Sequence, residues 1–256
     1  MTSTIIIQSH APERDQSQAP GAPDIVTRAT KTVRTWADQN GFDYRFKHDD
    51  LFELISSNVI DAAGPRKQMA ADIARLAWMQ HLLDEGADKV VWLDADVYVF
   101  RPDQLSVDAP AGVTFGREHW VQPDKTGRLK LFNNVHNAFL VFTPAVRTTL
   151  DFYREQAERI LLRAGPDVPP QLVGPKLLTA LHNVVGFPLN GGVGMASPRV
   201  IDDLAHGGGA AWELILAAHG ESLAALNLST SLLNSTTDGI EVTETLLEKA
   251  VTNLPR

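Results

Sequence analysis

The sequence predicts a single α/β domain, a sheet covered by helices, spanning residues 1–256. Strand and helix patterns alternate over roughly the first hundred residues, the order expected of such a sheet. A 44% hydrophobic content in 256 residues is enough for one well-buried core. No internal repeat and no long linker divides the chain.

Residues 5–8 form the first strand, followed by the Pro-, Gln- and Gly-rich loop APERDQSQAPGAP. Ile25, Ala29, Val33, Trp36 and Ala37 recur at helical spacing, so 24–40 is a helix, opened by Pro23-Asp24 and stopped by Gly41. Residues 42–46 alternate as a second strand, and Asp49-Asp50 cap a short helix carrying Leu51, Phe52, Leu54 and Ile55. Gly64-Pro65 starts the longest helix, 66–85, with Gly86 behind it and the apolar strand 90–93 next. The polar stretch 101–135 reads as an irregular excursion around a strand at 112–115. Residues 137–142 are another strand, 144–163 an amphipathic helix, AGPDVPP a break and 171–183 a further helix. Helices are expected near 210–218 and 241–251.

The net charge of -8 and the lack of a basic run exclude a nucleic-acid phosphate backbone as partner. An anionic substrate would need a metal ion to offset the repulsion. The absence of cysteine excludes disulfides, zinc–thiolate sites and thiol nucleophiles, and fits a reducing cytoplasm. The N-terminal MTSTIIIQSHAPERDQ reads as a strand rather than a signal peptide. No window approaches the ~20 apolar residues of a transmembrane segment.

The run VVWLDADVYVF sets Asp94 and Asp96 one residue apart in apolar surroundings. On an extended chain both would point to one side, ~6–7 Å apart, at the carboxyl edge where α/β sheets bind ligands. Converging carboxylates repel unless a cation joins them, and Mg²⁺ or Mn²⁺ is typically held by one or two carboxylates plus substrate phosphates. A strand running into a turn with both aspartates solvated is the plainer alternative. In the preceding helix Asp72 and Arg75 share a face. They are either a local ion pair of little worth or, since Ala70, Ala71, Ile73 and Ala74 surround them, a grip for a ribose hydroxyl and a phosphate.

D-x-x-R on a helix, a glycine at its end, then an apolar strand closing in D-x-D resembles the nucleotide-sugar-binding half of GT-A glycosyltransferases, families thirty-two and eight in particular. The matching residues are Asp72, Arg75, Gly86, Val91-Trp92-Leu93, Asp94 and Asp96. IIIQSHAP (with Gln8), the Trp36 helix and GFDYRFKHDD are similar to the opening of those enzymes. The segment 133–139 resembles the place where they set an asparagine against the sugar, and 173–179 their Gly-Pro turn and helix. The loop GADKVVWLDAD is closer to family eight, because family thirty-two usually has Gly-Gly-x-Tyr there.

The resemblance implies a GT-A-like fold, that of nucleotide-diphospho-sugar transferases, with a central mixed sheet flanked by helices. Residues 1–100 would be the nucleotide-binding half and 101–256 the acceptor side. It implies a metal-dependent, retaining hexosyltransferase using a UDP- or GDP-linked sugar, with a glycan or polysaccharide precursor as acceptor. Asp94 and Asp96 would hold Mn²⁺ or Mg²⁺ and, with Asn137, be the catalytic residues. Gln8, Asp72, Arg75, Asp94, Gly174 and Pro175 would bind the donor. The families' C-terminal metal-binding histidine has two candidates: His219, whose following Glu-Ser gives it polar company, and His206. An inverting course would need a carboxylate base, for which Glu118, Asp202 and Asp203 are available.

Two other functions fit parts of the pattern. A haloacid-dehalogenase-like phosphatase also follows four apolar residues with D-x-D, its first aspartate being the nucleophile, and Val200-Ile201-Asp202-Asp203 echoes its later acidic motif. It keeps D-x-D on its first strand, however, and Tyr98 stands where it has Thr or Val. A non-catalytic nucleotide- or glycan-binding domain is the second alternative.

Overall fold

A computed structural model describes residues 3–10, 25–65, 67–169 and 171–255. The expected loop 11–23, the Pro23-Asp24 helix start and Arg66 lie outside these residues. In chain order the elements are β1 (Thr4–Ser9), α1 (Ile25–Gln39), β2 (Asp43–Lys47), α2 (Ser57–Ala63), α3 (Gln68–Asp84), β3 (Lys89–Leu93) and β4 (Val97–Val99). Then come β5 (Val113–Pro123), β6 (Leu129–Phe142), α4 (Arg147–Ala164), α5 (Leu177–Val185), β7 (Leu189–Asn190) and β8 (Val193–Met195). The chain closes with α6 (Pro198–Ala205), α7 (Ala210–His219), β9 (Ala225–Asn227), β10 (Thr236–Thr237), β11 (Ile240–Glu241) and α8 (Glu244–Thr252).

The central sheet is mixed, in the order β2-β1-β3-β6-β5-β7. β2, β1 and β3 are parallel, β6 is antiparallel to both β3 and β5, and β7 is parallel to β5. Helices flank it, as expected. Alternation along its strands feeds two cores. Ile5, Ile7, Val90, Trp92, Leu140 and Phe142 pack with α3 on one face. Ile6, Val91, Leu93, Phe139 and Val141 pack with Val33 and Trp36 of α1 on the other. Burying each such side chain contributes about 1.5–3 kcal/mol, which explains why apolar runs in β1 and β3 are central strands. A third core joins α6, α7 and α8 to a smaller sheet, β4-β9-β8.

Three expectations change. The stretch 101–135 is irregular only as far as 112: from Val113 on, β5 and β6 form a long antiparallel hairpin, pairing from Val113↔Phe142 out to Pro123↔Leu129. Its polar composition misleads because the outer part of one hairpin face meets a cavity rather than a core. The longest helix among the described residues is α4, with 18 residues, not α3 with 17. The C-terminal third also holds α6 and five short strands whose two- and three-residue runs carry no readable period. No helix among the described residues is long and apolar enough to cross a membrane.

The hairpin is irregular at one place. Register jumps between Phe115 and Gly116, leaving three β6 residues, 137–139, without β5 partners. Such a bulge bends the strand and re-aims side chains. Gly116 admits it: a Cβ there would lie 2.0 Å from the His136 ring. That ring is 1% exposed and bonded to the Val193 carbonyl at 3.0 Å, so it cannot step aside. Gly116→Ala is therefore expected to destabilise the fold by about 1–3 kcal/mol through overpacking, read as a lower urea midpoint with an unchanged slope.

Candidate functional site

At the carboxyl end of β3 the chain turns instead of extending. The Asp94 carbonyl accepts from Val97 N–H at 3.0 Å and from Gln8 Nε2 at 2.9 Å, and β4 then leaves to pair with β9 in the second sheet. The extended geometry expected for Asp94 and Asp96 is thus replaced by a tight turn, because the next strand belongs to another sheet. Gln8 is fully buried and is bonded through Oε1 to the Tyr44 hydroxyl at 2.8 Å. It braces the turn from behind and does not line the cavity in front of it.

Asp94 Oδ1 accepts from Arg75 Nη1 at 2.9 Å and from Trp92 Nε1 at 2.7 Å. Oδ2 has no hydrogen-bond partner among the described residues. Arg75 also donates from Nη1 to the Asn137 carbonyl at 2.9 Å, and its Nη2 lies 2.9 Å from Asp72 Oδ1. Asn137 Nδ2 donates to the same Asp72 oxygen at 2.8 Å. Asp72 is 4% and Arg75 7% exposed. Burial, with the Asp94 charge adding to it, pushes the Asp72 carboxyl up to about 6 despite Arg75. Gly174 fits against this knot only because it lacks a side chain: a Cβ would sit 2.6 Å from both Asp72 Oδ2 and Asn137 Nδ2.

Asp96 is held from the second sheet. Its Oδ1 accepts from Asn227 Nδ2 at 2.6 Å, and its Oδ2 from Thr230 N–H at 2.9 Å and Thr230 Oγ1 at 3.0 Å. Burial and the neighbouring Asp94 raise its carboxyl to about 6, against the Thr230 hydrogen bonds. Between these residues Ser229 takes a left-handed backbone, φ 50°, which non-glycine residues adopt at a cost. Its buried hydroxyl has no partner among the described residues. Asn227 and Thr230 were not anticipated; the only signal was a polar N-L-S-T run directly behind the apolar AAL.

All these groups except Gln8, Tyr44, Val97 and Gly174 line one cavity of about 1010 Å³. Pro175, Lys176, Lys67 and Glu118 line it too. Three carboxylates (Asp72, Asp94, Asp96) against one guanidinium leave its floor negative. Burial and the neighbouring Asp94 charge raise the Asp72 and Asp96 carboxyls above the usual carboxylate range. Asp94 Oδ2, the Asp96 carboxylate and the open side of the cavity therefore fit a hard divalent cation completed by water and substrate oxygens. Among the described residues no group of three or more His, Cys, Asp or Glu side chains could hold a metal alone.

The two histidines considered as a further ligand lie elsewhere. His219 is buried, with Nδ1 2.8 Å from the Gly191 carbonyl and its ring edge-to-face with His119 at 4.5 Å. His206 is exposed, its Nδ1 2.8 Å from the Asp202 carbonyl. Neither lines the cavity. Of the three carboxylates considered as base, Glu118 alone does. Asp203 caps α7 by accepting from Ala211 and Trp212 N–H, which removes the second acidic motif of a phosphatase from the site.

No family model and no curated protein matches the chain. Among solved structures, galactosyltransferase LgtC in complex with donor and acceptor sugar analogues is 12% identical, with 97% of this chain and 95% of that one covered, at TM-score 0.46. A glycosyltransferase involved in glycosylation of the PBCV-1 major capsid is 10% identical, with 89% and 94% covered, at 0.45. GlyE of Streptococcus pneumoniae TIGR4 is 14% identical at 0.45, with 98% of this chain and 61% of that chain covered. At TM-scores this low the likenesses carry no weight for the function.

Two outcomes follow from the geometry. Arg75→Met leaves Asp72 buried without its cation, so stability at pH 8 should fall by about 3–5 kcal/mol in urea unfolding. The loss should shrink towards pH 5 as Asp72 takes up a proton, and adding Asp72→Asn should recover part of it. His219, lowered to about 4 by burial with His119, His136 and Arg117 nearby, is neutral in the native state. The unfolded chain therefore binds the extra proton between about 6.5 and 4, and this contribution to stability is lost as pH falls through that window. Asp72 and Asp96, raised, act oppositely there: their contribution is present below about 3.8 and lost as pH rises through about 6. The difference between wild type and His219→Asn isolates the histidine, and should show the wild type losing on the order of 1–3 kcal/mol more on acidification.

Proposed function

We propose that the protein is a metal-dependent glycosyltransferase, moving a sugar from a UDP- or GDP-linked donor to a glycan or polysaccharide-precursor acceptor. The observation that carries this reading is the Asp94–Asp96 pair in a large cavity at the sheet's carboxyl edge, with more negative charge than Arg75 can balance. A carboxylate pair of this kind suits a cation shared with a diphosphate. The Lys67 and Lys176 ammonium groups on the same cavity have no carboxylate partner among the described residues and are free to meet phosphate oxygens.

In the transfer the acceptor hydroxyl oxygen attacks the anomeric carbon of the donor. The bond from that carbon to the phosphate oxygen breaks, and its electron pair leaves with the nucleoside diphosphate. In the retaining course that the resemblance implies, the hydroxyl proton passes to the departing phosphate oxygen. Asp94 and Asp96 would hold Mn²⁺ or Mg²⁺, which would supply Lewis-acid stabilisation of the leaving group. Lys67 and Lys176 add fixed positive charge on the phosphates, where charge grows in the transition state. Asn137, its Nδ2 committed to Asp72, offers Oδ1 to a sugar hydroxyl. Asp72, Arg75 and Gly174 hold Asn137 and Asp94 in place from inside the protein, and Pro175 forms the edge. Glu118 is the one observation favouring inversion instead: it lines the cavity, and burial raises its carboxyl above the usual range, which makes the ionised group a stronger proton acceptor. The anomeric configuration of the product, read by NMR, separates the two courses.

Thermal shift with UDP- and GDP-sugars, with and without Mn²⁺, tests the site. Stabilisation should require the metal and vanish in Asp96→Ala, and Asp94→Asn should lower transfer about a hundred-fold or more. Metal-independent stabilisation that survives Asp96→Ala would sink the assignment. Release of inorganic phosphate from simple esters would point to the phosphatase, and tight nucleotide binding with neither transfer nor donor hydrolysis to a non-catalytic domain.

A further inference from the structure

The cavity reaches from the ends of the parallel strands to the β5–β6 hairpin. Sheet order places its parts. Asp94 ends β3, with β1 and β2 on one side and β6 and β5 on the other. On the first side the carboxyl ends of the parallel strands contribute Ser9, His10, His48 and Asp49, the place where nucleotides bind in such sheets. On the other side the cavity runs out along the β5–β6 hairpin. At about 1010 Å³ it is at the upper limit for a site holding a single small ligand.

The hairpin presents an ordered ladder to this second part. Cross-strand pairs Glu118↔Asn134, Trp120↔Phe132 and Gln122↔Lys130 follow one another on one face. Every member except Lys130 lines the cavity. The opposite face is core: Val121, Leu129 and Leu131 pack with α6, α7 and α8. Trp120 and Phe132 are half-buried, and neither ring packs on another aromatic ring among the described residues. The Trp120 indole N–H is occupied by Gln122 Oε1 at 3.1 Å, so its ring surface and not its donor is left for a ligand. Lys130 Nζ sits 4.8 Å over the Phe132 ring, at the outer end. At the inner end Asn134 Nδ2 donates to Glu118 Oε1 at 3.1 Å, leaving Oε2 and the Asn134 carbonyl oxygen for a ligand.

We infer that this ladder is the acceptor subsite and that its occupant is a saccharide, one pyranose ring lying on Trp120 and Phe132 with its hydroxyls meeting Glu118, Asn134 and Gln122. This rests on the reading of the Asp94–Asp96 side as a donor site. The chemistry selects the occupant. Aromatic faces carry negative charge density that suits the C–H face of a sugar ring. A lipid tail would set apolar surface against Glu118 Oε2 and the free amide groups of Asn134 and Gln122, and would offer them no hydrogen bond. A phosphorylated or acidic ligand would meet Glu118 rather than a cation at the inner end. A nucleobase could also stack here, but the ends of β1 and β2 already provide its place.

The test is saturation-transfer NMR with methyl glucopyranosides, galactopyranosides and mannopyranosides (both anomers) and lactose, each with and without UDP or GDP plus Mn²⁺. At least one saccharide should bind the wild type. Its affinity should fall about ten-fold or more in Trp120→Ala, the size of one lost stacking contact, and largely survive in Trp120→Phe. The nucleotide–Mn²⁺ thermal shift should stay the same in all three proteins. Binding by none of these saccharides, or binding unchanged in Trp120→Ala, overturns the subsite. So does loss of the nucleotide shift in Trp120→Ala, which would put the base on the ladder. A wild type with no nucleotide shift at all rejects the donor reading alone, since the saccharide signal without nucleotide still judges the hairpin. The Trp120→Ala protein is compared only when its ligand-free melting temperature matches the wild type, and Gln122→Ala, which leaves the indole in place, then serves as the second variant if Trp120→Ala melts lower.

Discussion

The Arg75 guanidinium is the joint on which the site is built. It reaches Asp72 on its own helix, the Asp94 carboxylate at the end of β3 and the Asn137 carbonyl in the β6 bulge, and its Cζ lies 4.8 Å from the centre of the Trp92 ring. Planar guanidinium suits such a role better than an ammonium, because its donors diverge in fixed directions. A buried charge is tolerable only when paired and hydrogen-bonded, so helix, strand and bulge must keep one arrangement. The same joint is deliberately incomplete in charge: one cation serves Asp72 and Asp94, and Asp96 stands beside them. Structure is secured by the part of the negative charge that is balanced, and binding is available to the rest.

A second constraint is the turn from Asp94 to Val97. It passes the chain from the central sheet to the smaller one, and so brings Asn227 and Thr230 against Asp96. The two aspartates look alike in sequence, yet they are fastened to different sheets. Asp94 leans on the parallel half and Asp96 on the C-terminal third. The strained Ser229 backbone lies where that third reaches back to the site. Gly116 and Gly174 act in the same spirit: each is small because a neighbouring buried ring or carboxylate occupies the space of a side chain.

Much of the parallel half was legible because its signals are local and strong. The Ile5–Ile7 and Val90–Leu93 runs are buried on both faces, and the periodicity in α1 follows the core it packs on. The hairpin was hidden for a related reason. Glu118, Trp120 and Gln122 face a cavity while Val121 faces a core, and with three prolines nearby the alternation looked like loop. His219 shows the limit of motif matching. Its Glu-Ser neighbours suggested a polar environment, but α7 turns the ring inward against His119, where an imidazole is kept neutral by burial.

The sequence by itself determined the alternation of strands and helices in the first half of the chain, and the spacing of D-x-x-R and D-x-D on either side of one apolar strand. Both depend on spacing along a helix or strand, where geometry repeats every few residues. Tertiary structure alone decided what those residues do to one another. Whether Arg75 faces a ligand or Asp94, whether Asp96 is solvated or held by a threonine from far along the chain, and which of Glu118, Asp202 and Asp203 reaches the cavity depend on contacts between distant segments. No local period encodes such contacts. They arise when two sheets and a bulged hairpin are forced to share one carboxyl edge, and the resulting burial sets the charge the site must find elsewhere.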